Sequence, residues 1–391
     1  MNRRSKFATT IEAIATEALR ERGHANVFVA GRAGVGKSTL VNTVFDGNLA
    51  RVGQGRPVTR HTRVYSRAGI PLSLYDNRGL EMADFHAIMG EQERHIREVN
   101  HDADPNNHIH VGWICIPEDL RRVEEAEIEM TRMLARHMPV IAVITKARSD
   151  QGFRATVQKL LPEARAVIRV RALAERLDDG HVMPPHGLGE LVAETCELFP
   201  EGQRRAFVAA QKVDLDLKRE NAREIVVRHA LYALGNAANP FPFADQIGLA
   251  GIYVSLFAGI SAAYGLSTSA QMLSAFLAAA VGTPTTLLTA SLLVSSFLKM
   301  IPGIGTAAGQ AIGAGVAPVV TTTIGLAYVE LLHGLYAGHG GVTPESADVL
   351  EALDSDFGTL LAQERQRARL SDGTRRSRSV QSTDRPGPRR R

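Results

Sequence analysis

The chain has 391 residues and 45% hydrophobic content, which is enough for the cores of two to three domains. Its net charge of +4 excludes a uniformly basic body, because the segment 364–391 carries ten Arg against three acidic residues and leaves the rest slightly acidic. The two cysteines are too few for a metal site, so they predict buried thiols in a reducing compartment. The basic N-terminus lacks a continuous apolar run, which predicts no secretory signal.

The first segment, 1–23, has apolar residues at helical spacing with charges between them. The spacing of Phe7, Ile11, Ile14 and Leu19 predicts an amphipathic helix that packs on the domain that follows. Contact of this helix with a membrane is the open alternative.

The next segment, 24–180, alternates apolar strands with helices. Such alternation predicts an α/β domain with a mostly parallel sheet and helices on both faces. The strands are predicted at 26–30, 62–67, 70–75, 108–116, 139–145 and 166–171, and the helices between them at 84–99, 119–137 and 152–160.

The stretch GRAGVGKST, 31–39, fits the phosphate-binding pattern G-x-x-x-x-G-K-[ST] between a strand and a helix. The glycines let backbone N–H groups turn toward phosphate oxygens, and the helix N-terminus adds its dipole. Lys37 is predicted to reach the β/γ-phosphates, and Ser38 to offer a hydroxyl to Mg²⁺. The predicted nucleotide-binding residues of this loop are Gly31, Arg32, Ala33, Gly34, Val35, Gly36, Lys37, Ser38 and Thr39.

Two later stretches fall where a Ras-like GTPase places its switch motifs. GRPVT, 55–59, puts Thr59 where a threonine closes on Mg²⁺, with Thr62 as a rival. DNRG, 76–79, follows a strand; Asp76 is predicted to hold Mg²⁺ through water, and the Gly79 N–H to sense the γ-phosphate. The metal residues are thus Ser38, Thr59 and Asp76, and the catalytic residues are Lys37, Thr59 and Gly79.

The base-reading motif N/T-K-x-D is incomplete in this chain. Thr145 and Lys146 fit the pattern, but Arg148 stands where a guanine-reading aspartate belongs, and Asp150 comes two residues late. A carboxylate that accepts from guanine N1–H and N2–H₂ is what rejects adenine. GTP stays the favoured nucleotide, with base specificity left open. A last base contact is predicted at Ala172, after the strand that ends near 170.

The residue after DNRG is Leu80, followed by Glu81. Ras-like enzymes place a glutamine there to orient the attacking water, which leucine is unable to do. Slow intrinsic GTP hydrolysis is therefore predicted. Acceleration would come from Glu81 through water, from an arginine of a partner, or from an arginine of the chain itself, for which Arg56, Arg60, Arg63 and Arg78 are the candidates.

The remainder divides into a Pro/Gly-rich linker at 181–189, an apolar helical domain at 190–363 and a disordered Arg-rich tail at 364–391. Between Asp245 and Glu330 the single charged residue is Lys299. The helices of this domain either insert into a bilayer or form a buried bundle. They are predicted at 189–199, 201–235, 246–265, 269–282, 285–300, 304–332 and 344–361.

On the stretches GRAGVGKST (31–39), RPVT (56–59), YDNRG (75–79) and ITKA (144–147), the first domain resembles the Era/TrmE/septin-like branch of P-loop GTPases. On ANPFPFAD (238–245), AYG (263–265) and KMIPGIG (299–305), the C-terminal half resembles the YcjF-type domain of unknown function that follows the G domain in a group of bacterial GTPases. The resemblance covers about 24–335. It implies GTP binding, hydrolysis to GDP and membrane association.

Together these observations predict a Mg²⁺-dependent GTP-binding switch that controls the apolar helices. The alternative is an RNA- or ribosome-associated GTPase of the Era-like kind, with the arginine tail as its contact, although the tail has no aromatic residues for reading bases. A cytoplasmic location is expected, with peripheral or integral placement at the inner membrane left open. Anionic lipid and a second copy bound through the G domains are the other partners considered.

Overall fold

The computed structural model describes residues 13–14, 16–46, 56–57, 62–66, 69–77, 85–233, 249–269, 271–273, 275–276 and 309–382. The strands are β1 (Ala25–Ala30), β2 (Arg56–Pro57), β3 (Thr62–Ser66), β4 (Leu72–Asn77), β5 (Val111–Pro117), β6 (Val140–Thr145), β7 (Ala166–Arg169), β8 (Glu175–Arg176) and β9 (Val182–Met183).

The helices follow the order in which they occur along the chain. They are α1 (Lys37–Val44), α2 (Phe85–Val99), α3 (Glu125–Ala135), α4 (Phe153–Leu160), α5 (Leu188–Leu198), α6 (Glu201–Ala210), α7 (Leu215–Tyr232), α8 (Leu249–Tyr264), α9 (Gly309–Gly338), α10 (Ser346–Ser355) and α11 (Phe357–Ser382). The predicted strands and the helices of the first domain are confirmed, with ends shifted by a few residues.

The first domain is built on a seven-stranded sheet with the order β2-β3-β4-β1-β5-β6-β7. The five strands from β4 to β7 in this order run parallel, and β3 and β2 add an antiparallel edge. The central strands β1, β5 and β6 are buried on both faces, which explains their continuous apolar sequences. This arrangement confirms the predicted α/β fold with helices on both faces.

Each face of the sheet carries its own core, because alternate strand residues point to opposite sides. Val27 and Val29 of β1 join Trp113 in a core that α1, α5 and α6 cover. Phe28 of β1 joins Ile114 in a second core that α2, α3 and α4 cover. The Trp113 indole N–H donates to the Thr195 hydroxyl at 3.1 Å, which ties α5 to the sheet.

The segment predicted as an interdomain linker, 181–189, has a different role. It contains β9, which pairs with β8 in a hairpin, then Gly187, the N-cap of α5, and the first two residues of that helix. Since α5 and α6 pack on the sheet, the first core continues to about residue 210, beyond the predicted boundary at 180. Proline and glycine in this stretch therefore lie in a β-hairpin and at the N-terminus of a helix.

The single helix predicted at 201–235 is wrong, because the structure breaks it into α6 and α7. Gln211 makes the break: its side-chain oxygen accepts from the backbone N–H groups of Val213 and Asp214, each at 2.8 Å. Asp214 then caps α7 by accepting from the Leu217 N–H at 3.0 Å. Both side chains satisfy backbone groups that a continuous helix would satisfy internally.

The C-terminal helices share a separate apolar core. In it α7 packs on α8, α9 packs on α7 and α11, and Glu330 of α9 pairs with Arg219 and Arg223 of α7. Where α9 packs on α7, a Cβ on Gly325 would lie 2.7 Å from the Val226 side chain, a clash that glycine avoids. These contacts confirm the predicted helical region after the α/β domain. Of the predicted helices, 246–265 and 304–332 overlap α8 and α9, whereas 285–300 lies outside the described residues.

The two ends of the chain depart from expectation. Ile14 of the N-terminal helix packs in the C-terminal helical core, not on the sheet domain that directly follows it. At the other end, α11 continues to Ser382 through the first part of the predicted disordered tail. Gln, Glu, Arg and Ala of 362–369 favour helix, and Leu361 anchors the start of α11 in the core.

Among the described residues, the part of α9 from Pro318 to Gly338 is long and apolar enough to cross a membrane. Of its most apolar stretch, 56% is buried inside the protein. A shorter apolar helix spans Ile252–Tyr264. The core helices of soluble proteins share this length and composition.

Candidate nucleotide site

The phosphate-binding loop lies between β1 and α1, at the carboxyl edge of the sheet. Gly31, Gly34 and Gly36 have φ angles of +146°, +74° and +101°. At Gly31 the reason is direct: a Cβ there would lie 2.6 Å from the Cys115 carbonyl oxygen of the neighbouring strand. Gly36 is the N-cap of α1, so the helix N-terminus faces the loop. This is the strand–loop–helix arrangement that the sequence predicts.

Lys37 is half-buried and folds back over the loop. Its ammonium donates to the carbonyl oxygens of Gly31 at 2.8 Å and Arg32 at 3.0 Å. These contacts hold a positive charge at the centre of the loop, beside the N–H groups of the first turn of α1. The loop therefore combines a cation, a helix dipole and backbone donors, which is the chemistry that binds phosphates.

Ser38 and Asp76 lie on neighbouring elements of this edge. Ser38 is exposed in the first turn of α1, and Asp76 is half-buried near the end of β4, where it is in register with Val29 of β1. Hydroxyl and carboxylate oxygens are the ligand types that Mg²⁺ takes. The two residues thus fit the predicted metal role. Thr59 and Gly79 lie outside the described residues.

Arg32, the second residue of the loop, is tied to α3. Its guanidinium donates to Glu124 at 3.1 Å, and Glu124 is the N-cap of α3 in a capping box with Glu127. The Glu127 carboxyl is 1% exposed and accepts from the Glu124 N–H at 2.9 Å. Burial raises its pKa to about 7. The side chain of Arg32 is therefore held away from the loop's centre.

Both cysteines are free and buried, as predicted. Cys115 lies on β5 beside the loop, and burial raises the pKa of its thiol to about 12. A thiol that stays protonated is a poor nucleophile, so this residue serves the core.

Thr145 joins the phosphate side of the site to the next loop. Its hydroxyl donates to the Val35 carbonyl at 2.6 Å, and the side chain is buried at the end of β6. The residue therefore fixes the backbone of the phosphate loop at Val35. Lys146 follows with a left-handed backbone, φ +54°, and its ammonium pairs with Asp119 at 3.2 Å.

Beneath these loops lies Glu118, a buried carboxylate that follows β5 and is absent from the sequence-based predictions. It accepts from the backbone N–H of Arg148 at 2.5 Å and of Ser149 at 2.9 Å, and from the Arg169 guanidinium at 2.6 Å. Burial alone would raise the pKa of Glu118, but these hydrogen bonds lower it. The carboxylate fixes the backbone of the loop after β6. An acidic residue directly after a buried strand was the signal that could have revealed it.

Arg148, which replaces the base-reading aspartate, pairs with a residue from another loop. Its guanidinium donates through Nε to Glu175 Oε2 at 2.9 Å and through a second nitrogen to Glu175 Oε1. Glu175 opens β8, three residues after Ala172. The Arg148 guanidinium lowers the pKa of Glu175, so its carboxylate stays ionised. A fork-shaped donor and a carboxylate match in this geometry.

The other predicted base-side residues have defined positions. Asp150 lies just before α4, and its carboxylate accepts from the backbone N–H of Arg154 in the first turn of that helix at 2.8 Å. Ala172 is half-buried in the loop after β7, next to Arg171, whose guanidinium donates to the Ala147 carbonyl at 2.7 Å. The loops after β6 and β7 are thus joined side by side.

The far end of α1 contacts the helical region. The Asp46 carboxylate accepts from the backbone N–H of Thr343 at 2.9 Å, and the Lys212 N–H donates to the Val44 carbonyl at 2.9 Å. Nearby, the buried Lys218 ammonium donates to the carbonyls of Ala209 at 2.5 Å and Tyr264 at 2.9 Å. Helix α1 and the residues that follow it therefore link the phosphate loop to the connections that precede α7 and α10.

Comparison with known proteins agrees with this geometry. Residues 26–146 match the family described as 50S ribosome-binding GTPase. GTPase Der from Rhizobium etli and from Rhizobium leguminosarum bv. trifolii is 31% identical over 130 residues, which are 32% of this chain. The chain spans 27% of the length of these curated relatives.

Among solved structures, the G domain of the T. maritima FeoB iron transporter is similar at 19% identity, with a TM-score of 0.29. The match covers 45% of this chain and 98% of that one. The family match, together with the phosphate loop and the parallel sheet, supports a GTP-binding G domain over residues 26–146.

Proposed function

We propose that the chain is a slow GTP hydrolase whose nucleotide state controls the C-terminal helical region. The observation that carries this proposal is the contact between the end of α1 and the helical region, Asp46 with Thr343 at 2.9 Å. The other end of α1 holds Lys37 and Ser38, the predicted phosphate and metal residues. A shift of the phosphate loop has a short, rigid route to the C-terminal helices.

In the proposed site, the Lys37 ammonium and the backbone N–H groups of the loop bind the transferring phosphoryl group and stabilise its charge. Ser38, Asp76 through water and, from the sequence, Thr59 would hold Mg²⁺, which would neutralise phosphate charge. The Gly79 N–H reports the γ-phosphate. Leu80 offers no hydrogen bond to an attacking water, so intrinsic turnover is expected on the order of 10⁻³ per second.

The test compares amide hydrogen exchange of the full chain with bound GDP and with a non-hydrolysable GTP analogue. Peptides of 319–345 are expected to differ by about 3-fold or more in exchange rate between the two states. Asp46→Ala is expected to abolish this difference while leaving GDP affinity within about 2-fold, since Asp46 lies at the far end of α1. Asp354→Ala, an exposed aspartate of α10, is the control. Identical exchange in both nucleotide states would refute control of the helices.

A second candidate is a ribosome-associated GTPase, favoured by the description of the matching family. The basic residues of α11 and the segment after it would then contact RNA phosphates. Sedimentation with isolated 50S subunits tests this candidate, using the full chain and a variant with Arg375, Arg376 and Arg378 replaced by Gln. Co-sedimentation that the Gln variant loses would favour it over the helical-switch proposal.

We include membrane contact in the proposed switch, because α8 and α9 are apolar enough to contact a bilayer. Helices of this composition also form buried bundles. We place the protein in the cytoplasm, with peripheral attachment to the inner membrane as the alternative. Flotation of the full chain with vesicles containing anionic lipid, in the GDP and GTP-analogue states, distinguishes the two. Binding in one nucleotide state alone would identify the bilayer as the target of the switch.

A further inference from the structure

We infer that guanine is read by the Glu175 carboxylate, held in place by Arg148. The inference rests on the proposed nucleotide binding and names the specificity residue of the same site. It starts from Arg148, which occupies the motif position whose side chain faces the base in proteins with N/T-K-x-D.

Arginine is unable to accept the hydrogen bonds that the aspartate of the motif accepts from guanine. The Watson–Crick edge of guanine presents two donors, N1–H and N2–H₂, beside a single acceptor, O6. A guanidinium carries donors alone, so it repels the two N–H groups that define guanine. A residue that reads the N1–H and N2–H₂ donors must supply acceptor oxygens, which Arg148 lacks and a neighbouring carboxylate provides.

Glu175 is the carboxylate that Arg148 recruits. Two guanidinium nitrogens of Arg148 donate to the two oxygens of Glu175, one of them at 2.9 Å. A carboxylate has about four acceptor positions, and this pairing uses two of them. The remaining two suffice for N1–H and N2–H₂. The carboxylate is 32% exposed, so the pair is open to a ligand at one side.

The position of Glu175 in the fold favours the same assignment. Strands β6 and β7 are parallel neighbours, and the loops that leave their carboxyl ends carry Arg148 and, after Ala172, Glu175. The Arg171 guanidinium joins these loops through the Ala147 carbonyl. The base of a nucleotide whose phosphates lie on the β1–α1 loop would meet this edge of the sheet.

The other carboxylates near Arg148 already bind other groups of the protein. Glu118 is buried beneath the loop and already accepts three hydrogen bonds. Asp150 accepts from a backbone N–H in the first turn of α4. Asp119 pairs with Lys146, the second residue of the base-reading motif, so it is the rival that an experiment must separate from Glu175.

The experiment measures GDP, XDP and ADP binding to the full chain by calorimetry. Xanthine carries O2 where guanine carries N2–H₂, so a side-chain amide that accepts from N1–H and donates to O2 suits xanthine. Glu175→Gln is expected to weaken GDP binding about 30-fold or more and to make XDP the preferred ligand, as loss of one charged hydrogen-bond partner implies. Glu175→Asp keeps a carboxylate and is expected to keep the preference for GDP, with lower affinity.

Two controls separate specificity from damage. Glu190→Gln alters another exposed Arg–Glu pair, with Arg154 at 3.2 Å, and is expected to bind GDP like the unmodified chain. Asp119→Asn is expected to retain the preference for GDP over XDP. Wild-type GDP affinity in Glu175→Gln, an equal loss of all three nucleotides in that variant, or a switch to XDP in Asp119→Asn instead would overturn the inference alone. An unmodified chain that binds none of the three nucleotides would overturn the proposed function and the inference with it.

Discussion

The phosphate side and the proposed base side of the candidate nucleotide site are built by different means. On the phosphate side, the groups that would contact the ligand belong to the backbone of one continuous loop. The Lys37 ammonium folds over this loop and donates to the carbonyls of Gly31 and Arg32. On the base side, they come from long side chains of separate loops, such as Arg148 with Glu175 and Lys146 with Asp119. Thr145 joins the two sides through a single hydroxyl.

This difference explains how far each side can depart from a motif. A backbone cradle needs glycines at fixed positions, so its pattern stays visible in the sequence. A side-chain contact needs only the right chemical group at the right place in space. The group can therefore move to another loop, as a carboxylate at Glu175 would do for the missing aspartate at position 148.

The largest expected effect comes from Lys37→Ala. Removing the ammonium should weaken GDP and XDP binding equally, by about 100-fold or more, because the charge acts on phosphates that both ligands share. Calorimetry of the full chain measures both affinities, and Lys159→Ala of the exposed face of α4 is the control. A loss of GDP affinity without an equal loss of XDP affinity would contradict the claim that Lys37 acts on the phosphates and not on the base.

A smaller effect is expected from Thr145→Val, which removes the hydroxyl between the two sides. Losing the bond to the Val35 carbonyl leaves a buried acceptor unpaired, so the free energy of unfolding should fall by about 1–3 kcal/mol. GDP and XDP affinity should both fall several-fold. Thr145→Ser keeps the hydroxyl and should restore most of both losses; a Ser variant as weak as Val would contradict the role of this hydrogen bond.

The smallest expected effect on nucleotide affinity comes from Glu127, whose burial beside the phosphate loop instead makes the stability of the fold depend on pH. The buried Glu127 carboxyl has a pKa of about 7 in the folded protein, raised from 4.5. The folded state then holds the proton more tightly than the unfolded state, so this group's contribution to stability is full below pH 4.5 and declines as the pH rises to about 7. Above that value the loss is constant.

Glu127→Gln removes this titration and can still accept from the Glu124 N–H. Thermal unfolding of both proteins from pH 4.5 to 8 is therefore expected to give curves that diverge, with the Gln variant increasingly the more stable as the pH rises. GDP affinity should change little, because Glu127 touches the loop only through Arg32 and Glu124. A difference in unfolding temperature that stays constant over this range would show that Glu127 does not titrate there.

Strands and the phosphate loop were predictable because period and spacing determine them locally. β1, β5 and β6 are continuous apolar runs, and the glycines of 31–36 mark the loop. The helix break at Gln211 was missed because it depends on a side chain that bonds to backbone N–H groups two and three residues later. The placement of Ile14 was missed because helical periodicity identifies an apolar face but not its partner.

The base side escaped prediction for a related reason. Arg148 is recognisable as a departure from the motif, yet nothing in its neighbourhood in sequence points to Glu175, 27 residues away. The pairing arises from the adjacency of β6 and β7 and from the short β8–β9 hairpin, whose two-residue strands give little sequence signal. Proline and glycine around that hairpin favoured a linker instead.

The most direct test of the relocated base contact is a crystal structure of the full chain with GDP. The account predicts a Glu175 carboxylate oxygen within about 3.2 Å of both guanine N1 and N2, with Arg148 still bound to that carboxylate. A guanine whose N1 and N2 donors face Asp119, Asp150 or backbone carbonyls, with Glu175 more than about 5 Å away, would contradict it.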